Sequence, residues 1–419
     1  VDTLNEINYF YLNACPSLKV NYTTVAKDIK NYNKTLFLNP VENYEIRNII
    51  SSLKNKKSVG EDQIPTNVLK FVASEISQPL TYIANLMLTT GVFPTRLKTA
   101  IIKPIYKKGD KAQIKNYRPI ALLNNLSKIF ERVLNERIIS FLESKNLLSD
   151  SQNGFRRKKS TVRAIYQALT KILSSIDSGK KTVALYLDLS RAFDSVDHGA
   201  LVLKLEKYGI RGIANKIIAS YLSDRGQAVA VKDKNGDLIT SEFGCVKRGV
   251  PQGSILGPLL YILYTNELPN IIPNTTQFAD DTSVVLSLES GDDEAEKISD
   301  TLSVMETWFS ANNLLLNIDK TQIIKFSYQT NFISTKYANN NKFLETLPSA
   351  KFLGIQVDHR LDWKIHTDLL AGKIAGYCYA LKVLSTEVNP ETAIMAYHAF
   401  VHSQLKYGII FLGTRTGGK

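Results

Sequence analysis

Apolar residues along this chain follow two different periods. From Glu42 to Leu53 they recur at helical spacing (Ile46, Ile49, Ile50, Leu53), and further helices are expected near 64–74 and 76–90, from Leu126 to Asn146 and from Thr161 to Ile176. Thr99 to Tyr106 reads as a strand closed by the turn Lys107-Lys108-Gly109-Asp110. From Thr182 the pattern changes. Val183 to Leu187 is a short apolar run, which fits a buried strand carrying Asp188 at its tip. Gln227–Val231 and Leu238–Phe243 flank Lys234-Asn235-Gly236, where the Asn-Gly pair signals a hairpin. Leu256–Tyr264 is an apolar helix, and Thr275–Phe278 and Thr282–Leu288 enclose Ala279-Asp280-Asp281 as a second hairpin. Ile298–Asn312 is expected to be helical, Gln322–Phe326 a strand, and 364–384 and 390–406 terminal helices. Residues 1–40 have weak periodicity and are expected to form an irregular lead-in. Strands and helices in this order imply an α+β fold, a small sheet covered by helices on one face.

At 419 residues the chain is long enough for roughly three packed units. With 44% hydrophobic and 22% charged residues, its composition excludes a disordered or fibrous chain. The net charge of +13 fits a polyanionic partner, nucleic acid or an anionic surface. Between Arg96 and Arg163 stand 17 basic and five acidic residues, so nearly all the excess lies in one stretch. Interleaved with Tyr106, Tyr117, Phe130 and Phe155, that stretch reads as a phosphate-tracking surface rather than a solvated face. No apolar run reaches the length of a membrane span, and no membrane partner is expected. Cys15, Cys245 and Cys378 are too scattered for a disulfide framework or a zinc site, which favours a reducing compartment. Val1 at the start, methionine only at 87, 305 and 395, and the abrupt end at Lys419 suggest a segment of a longer open reading frame.

One strand-end aspartate means little. Here Asp188 is joined by an Asp280–Asp281 doublet at an apolar hairpin turn, and adjacent carboxylates there repel unless a cation lies between them. Hard oxygen ligands favour Mg²⁺, and two such ions can clamp an in-line phosphoryl transfer. An exposed acidic turn without metal accounts equally well for the doublet alone.

The segments Leu187-Asp188-Leu189-Ser190-Arg191-Ala192-Phe193-Asp194, Gly249-Val250-Pro251-Gln252-Gly253-Ser254 and Phe278-Ala279-Asp280-Asp281 resemble the polymerase signature of reverse transcriptases. Other blocks flank these in order. Lys57 to Pro65, Asn116 to Ile120 and Gln152 to Arg156 resemble finger blocks, and Asn317 to Thr321 and Phe352 to Ile355 resemble later palm and primer-grip blocks. Together with Tyr264 to Pro269 and Ser403 to Gly408, they make the chain similar to LINE-type, non-LTR retrotransposon reverse transcriptases, jockey-like elements in particular, over about residues 45–410.

That resemblance implies a right-hand polymerase. Its expected divisions are a lead-in at 1–40, fingers with the first palm helices at 41–181, a palm with the catalytic motifs and primer grip at 182–362, and a truncated helical thumb or connection at 363–419. It implies an RNA-directed DNA polymerase that copies element RNA by two-metal nucleotidyl transfer, primed from nicked target DNA. The metal set is Asp188, Leu189, Asp280 and Asp281, holding two Mg²⁺ ions with Mn²⁺ able to substitute. Lys320 is the candidate general acid toward pyrophosphate, an exposed lysine without a role being the alternative. Phe193 would exclude a 2′-hydroxyl, with a plain core aromatic as the alternative. Gln252 and Gly253 would lie along the nucleotide and template, and Arg118 would grip phosphate with Lys103 or Lys107. Arg156, Arg157, Lys158 and Lys159 would contact template, and Phe352, Leu353 and Gly354 the primer. Implied partners are template RNA, primer or target DNA and deoxynucleoside triphosphates. The endonuclease would lie elsewhere in the same reading frame. The implied locations are a cytoplasmic ribonucleoprotein and then the nucleus. An RNA-dependent RNA polymerase, with Asp194 as its second carboxylate, and a catalytically silent nucleic-acid-binding protein are the competing readings.

Overall fold

The computed structural model describes residues 2–15, 20, 22, 25–232, 234–327, 332–339 and 342–412. The chain forms two compact units, each discontinuous in sequence. Val1–Ser149, Ser190–Glu267 and Thr307–Leu315 make the first, and Asp150–Leu189, Leu268–Glu306 and Leu316–Lys419 the second. Both mix small sheets with many helices, as the α+β expectation required.

In the first unit, Thr99–Tyr106 pairs antiparallel with Tyr117–Leu123 along its length and parallel with Arg225–Lys232 over Thr99–Ile102. Leu238–Thr240 and Gly244–Val246 both pair with Arg225–Lys232. Alternation divides this sheet cleanly. Ala100, Ile102, Ala121 and Leu123 pack with Leu4, Tyr11 and Val229 on one face, while Ile101, Leu122, Ala228 and Ala230 pack on the other.

The lead-in is not irregular. Asp2–Asn13 is a helix whose buried residues, Leu4, Asn8 and Tyr11, have helical spacing. A polar residue in the middle of that stripe hid the period. Asn8 belongs there because its amide donates to the Gln227 and Glu242 carbonyls (3.1 and 2.9 Å) and its oxygen accepts from Gln227 (3.1 Å). The same unit holds two helices that the apolar pattern did not announce, His198–Lys207 and Ile213–Leu222.

The second unit centres on an antiparallel four-stranded sheet in the order Gln322–Phe326, Lys181–Leu187, Asp281–Leu288, Thr275–Phe278. Helix Thr161–Asp177 starts at Ser160, whose side chain accepts from Arg163 N–H, and carries its apolar stripe onto this sheet. Ile165, Ala168, Leu169 and Ile172 meet Ala184, Tyr186, Val285, Ile324 and Phe326. Val183, Leu185 and Leu187, on the opposite face, are also buried, so the strand reads as a continuous apolar run. The hairpin Ser349–Phe352/Ile355–Asp358 adds Ala350, Phe352, Ile355 and Val357 to the same core.

Candidate active site

The three aspartates lie in the second unit at one end of its sheet. Leu187 pairs with Thr282, so Asp188, one residue on, comes alongside Asp281. The Phe278–Asp281 pair closes the hairpin through Ala279, a non-glycine residue at φ +57°, and Asp280. Asp281 is exposed and Asp188 and Asp280 half-exposed, so oxygen donors from two neighbouring strand ends face solvent together. The Lys320 ammonium lies 3.0 Å from Asp188 Oδ2. The short turn Ile318–Lys320 is held there because Asn317 N–H donates to the Asp188 carbonyl (2.9 Å).

Among the described residues no three His, Cys, Asp or Glu side chains are already gathered to hold a metal ion. The donor chemistry nevertheless fits a hard divalent cation: carboxylates on adjacent strand ends, one already drawing a cationic side chain.

The basic template block divides. Arg157 and Lys158 are exposed. Arg156 Nη1 donates to the Gln152 carbonyl (3.4 Å). Lys159 pairs with Asp150 (3.1 Å), its side chain is only 7% exposed, and burial pushes its pKa down. Phe352 is 4% exposed and packs against Tyr186, ring centroids 5.2 Å apart. Only the turn remains accessible, with Leu353 and Gly354 both at positive φ and Tyr407 Oη donating to the Leu353 carbonyl.

The nucleotide candidates lie in the first unit. Phe193 is half-buried and stacks on the fully buried Tyr261, centroids 4.5 Å apart and planes 20° off parallel. Val250 N–H donates to the Phe193 carbonyl (2.9 Å) and Gly249 N–H to that of Val196 (2.8 Å), which ties the Gly249–Ser254 loop to the segment after Asp188. Ala121 N–H donates to the Gln252 carbonyl (2.9 Å). A Cβ on Gly253, at φ +128°, would come within 2.6 Å of the Ala121 oxygen, so this turn requires glycine. Gln252 Nε2 donates to Asp194 Oδ1 (2.7 Å), and burial pushes the Asp194 carboxyl up. Both line a cavity of about 350 Å³ with Tyr11, Ala100, Ile102, Pro119 and Ala121.

Arg118 and Lys103 are exposed on the paired strands. Since Ile105 pairs with Arg118 and Lys103 with Ile120, both basic side chains share one face of the ladder. The Gln252 cavity opens on the other face, beside Ala100, Ile102 and Ala121. The structure therefore does not bring Arg118 and Lys103 to Gln252. Lys107 lies just beyond the strand, its N–H donating to the Asn116 carbonyl (2.9 Å).

Apolar periodicity gave no hint of two positioning residues. Glu131, fully buried, accepts from the N–H groups of Ile255 (2.7 Å) and Leu256 (3.3 Å) and from Ser127 Oγ (2.9 Å), so it caps the Leu256–Tyr264 helix that follows the Gln252 loop. Gln152 does comparable work on the aspartate hairpin. A glutamate four residues after a serine on a helix, and a glutamine before Asn-Gly, were the only local signals.

The family model described as reverse transcriptase (RNA-dependent DNA polymerase) matches residues 105–357. The chain belongs to that family. Three relatives from Drosophila melanogaster place it with the LINE-type, non-LTR retrotransposon members. The probable RNA-directed DNA polymerase from transposon X-element is 31% identical over 389 residues, 88% of this chain and 41% of the relative. The probable RNA-directed DNA polymerase from transposon BS is 31% identical over 351 residues, 79% and 37% of the two chains. The RNA-directed DNA polymerase from mobile element jockey is 28% identical over 345 residues, 80% and 37%. The chain thus spans about two fifths of the length of these relatives.

Proposed function

We propose that this chain is the RNA-directed DNA polymerase portion of a non-LTR retrotransposon protein, copying element RNA into DNA. The observation that carries the reading is the meeting of Asp188 with the Asp280–Asp281 turn at one end of an antiparallel sheet, in a chain of the reverse transcriptase family. In a right-hand description, residues 41–181 serve as fingers, 182–362 as palm and 363–419 as the start of the thumb or connection, after a lead-in at 1–40.

Asp188, Asp280 and Asp281 are the carboxylate ligands in this reading, with Leu189 beside them. When bound, two divalent ions, Mg²⁺ or Mn²⁺, supply activation of the primer 3′-hydroxyl and charge neutralisation at the departing pyrophosphate. Lys320 holds a proton at Nζ, next to Asp188, and donates it to the leaving group. Gln252 and Gly253 lie along the nucleotide and template, while exposed Arg118 and Lys103 or Lys107 bind phosphates. Arg156, Arg157 and Lys158 track template, and the Leu353–Gly354 turn supports the primer. Template RNA, primer DNA and deoxynucleoside triphosphates are the partners. Nicked target DNA provides the primer, and the endonuclease lies elsewhere in the same protein. The working locations are a cytoplasmic ribonucleoprotein and the nucleus. No helix among the described residues is long and apolar enough to cross a membrane.

Phe193 is the sugar gate. Its stack on Tyr261 fixes the ring plane, so the ring can exclude a 2′-hydroxyl. Phe193→Val is expected to raise ribonucleotide incorporation relative to deoxynucleotide by about thirty- to a hundredfold in kcat/KM, equivalent to roughly 2–3 kcal/mol. Competing incorporation opposite one template base measures the ratio. An unchanged ratio in a folded variant removes the gate and returns Phe193 to the core.

A further inference from the structure

The Gln152-Asn153-Gly154 block resembles a finger motif, and its side chains are buried and bonded within the protein. Gln152 is fully buried. Its Oε1 accepts from Ala279 N–H (3.0 Å) and from Gly154 N–H (2.8 Å), and its Nε2 donates to the Ala279 carbonyl (3.4 Å). Both backbone groups of Ala279 are therefore held by one side chain. Ala279 is the residue immediately before Asp280, and its φ of +57° is a conformation that alanine seldom adopts without support.

The backbone around Gln152 reinforces this grip. Asn153 N–H donates to the Gln277 carbonyl (2.8 Å), and Gln277 N–H to that of Ser151 (2.8 Å), so the segment lies as an extra parallel bridge beside Thr275–Phe278. A Cβ on Gly154 would come within 2.3 Å of Ala279 N, so glycine is required for so close an approach. Every polar contact of the Gln152 side chain goes either to its own turn or to the residue that sets the direction of Asp280.

We propose that Gln152 is a positioning residue that locks the left-handed turn at Ala279 and thereby aims the Asp280 and Asp281 carboxylates at the divalent-ion site. The inference rests on the reading of those carboxylates as metal ligands. Gln152 itself touches neither metal nor substrate. It fixes the turn before any ion arrives, so that binding does not have to order the hairpin. Partners one step removed from a metal commonly change its affinity by ten- to a hundredfold.

The test is a Mn²⁺ titration of the purified chain followed by electron paramagnetic resonance, with Asp280→Asn as control. Gln152→Met keeps the length of the side chain but removes its amide, and is expected to weaken Mn²⁺ binding about tenfold. Gln152→Glu retains the oxygen that accepts from Ala279 and Gly154 but loses the Nε2 donor to the Ala279 carbonyl, and is expected to lose less affinity than Gln152→Met. A folded Gln152→Met variant that titrates like the parent, or equal losses in both variants, overturns the proposal. If Gln152→Met does not fold, amide hydrogen exchange of the parent decides: slow exchange at the Ala279 N–H supports the clamp and free exchange overturns it. If Asp280→Asn binds Mn²⁺ as the parent does, the metal-ligand reading itself has failed and the inference falls with it.

Discussion

Asp280→Ala is expected to abolish primer extension, a fall of at least about 10³-fold, while RNA affinity stays within about twofold of the parent. The two quantities separate because they rest on different residues. Affinity for a polyanion comes from Lys and Arg groups that displace counterions, and the chain carries most of its basic excess between Arg96 and Arg163, on side chains other than the aspartates. The chemical step depends on charge stabilisation at the reacting phosphate, where a metal contributes several kcal/mol, and about 4 kcal/mol already amounts to a thousandfold. Asp280 is half-buried on a turn that Gln152 and the Phe278–Asp281 pair hold in place, so truncation removes a carboxylate without opening the core. Single-turnover extension and fluorescence anisotropy with labelled RNA measure the two effects. Residual extension close to the parent rate would remove Asp280 from the chemistry.

Lys204→Met is expected to destabilise the first unit by about 3–5 kcal/mol. Lys204 and Glu267 form an ion pair sealed from solvent. The ammonium also donates to the Tyr264 carbonyl (2.6 Å) and lies over the Tyr264 and Trp308 rings, 4.6 and 5.2 Å from their centroids. Burial pushes the lysine pKa down and the glutamate pKa up, each opposed by the partner's charge. Removing the lysine leaves a buried carboxylate without its cation. Replacing both partners, as Lys204→Met with Glu267→Leu, is expected to recover most of the loss, since apolar groups of similar volume carry no desolvation cost. Denaturant unfolding followed by tryptophan fluorescence in a Trp363→Phe background, which leaves Trp308 as the reporter, checks both. A double variant as unstable as the single one would show that geometry at Tyr264 and Trp308, rather than the unpaired charge, sets the cost.

The carboxylate-bearing end of the second unit was legible because its strands are buried on both faces. An apolar run broken by Asp188, and two runs enclosing Asp280 and Asp281, leave few alternatives to strand ends carrying carboxylates. The strand Tyr117–Leu123 was not legible, since Pro119 in its middle argues against a strand. It is tolerated because this strand forms the edge of its sheet, where a missing N–H disrupts no ladder. Gly244–Val246 is too short to establish a period. Asn8 hid the first helix for the opposite reason, as a polar residue whose partners, Gln227 and Glu242, lie more than two hundred residues away. Separation in sequence concealed Gln152 as well. Its role depends on Ala279, and no local pattern reports a side chain that serves a turn 127 residues downstream.

The central claim is that this chain makes DNA on an RNA template, and primer extension tests it most directly. Purified protein is given an RNA template with an annealed DNA primer, Mg²⁺, and either deoxy- or ribonucleoside triphosphates. The account predicts products that grow to the template end with deoxynucleotides, stop where a templated nucleotide is withheld, and vanish on chelation of the metal. Equal use of ribonucleotides, or products that ignore the template sequence, would contradict it.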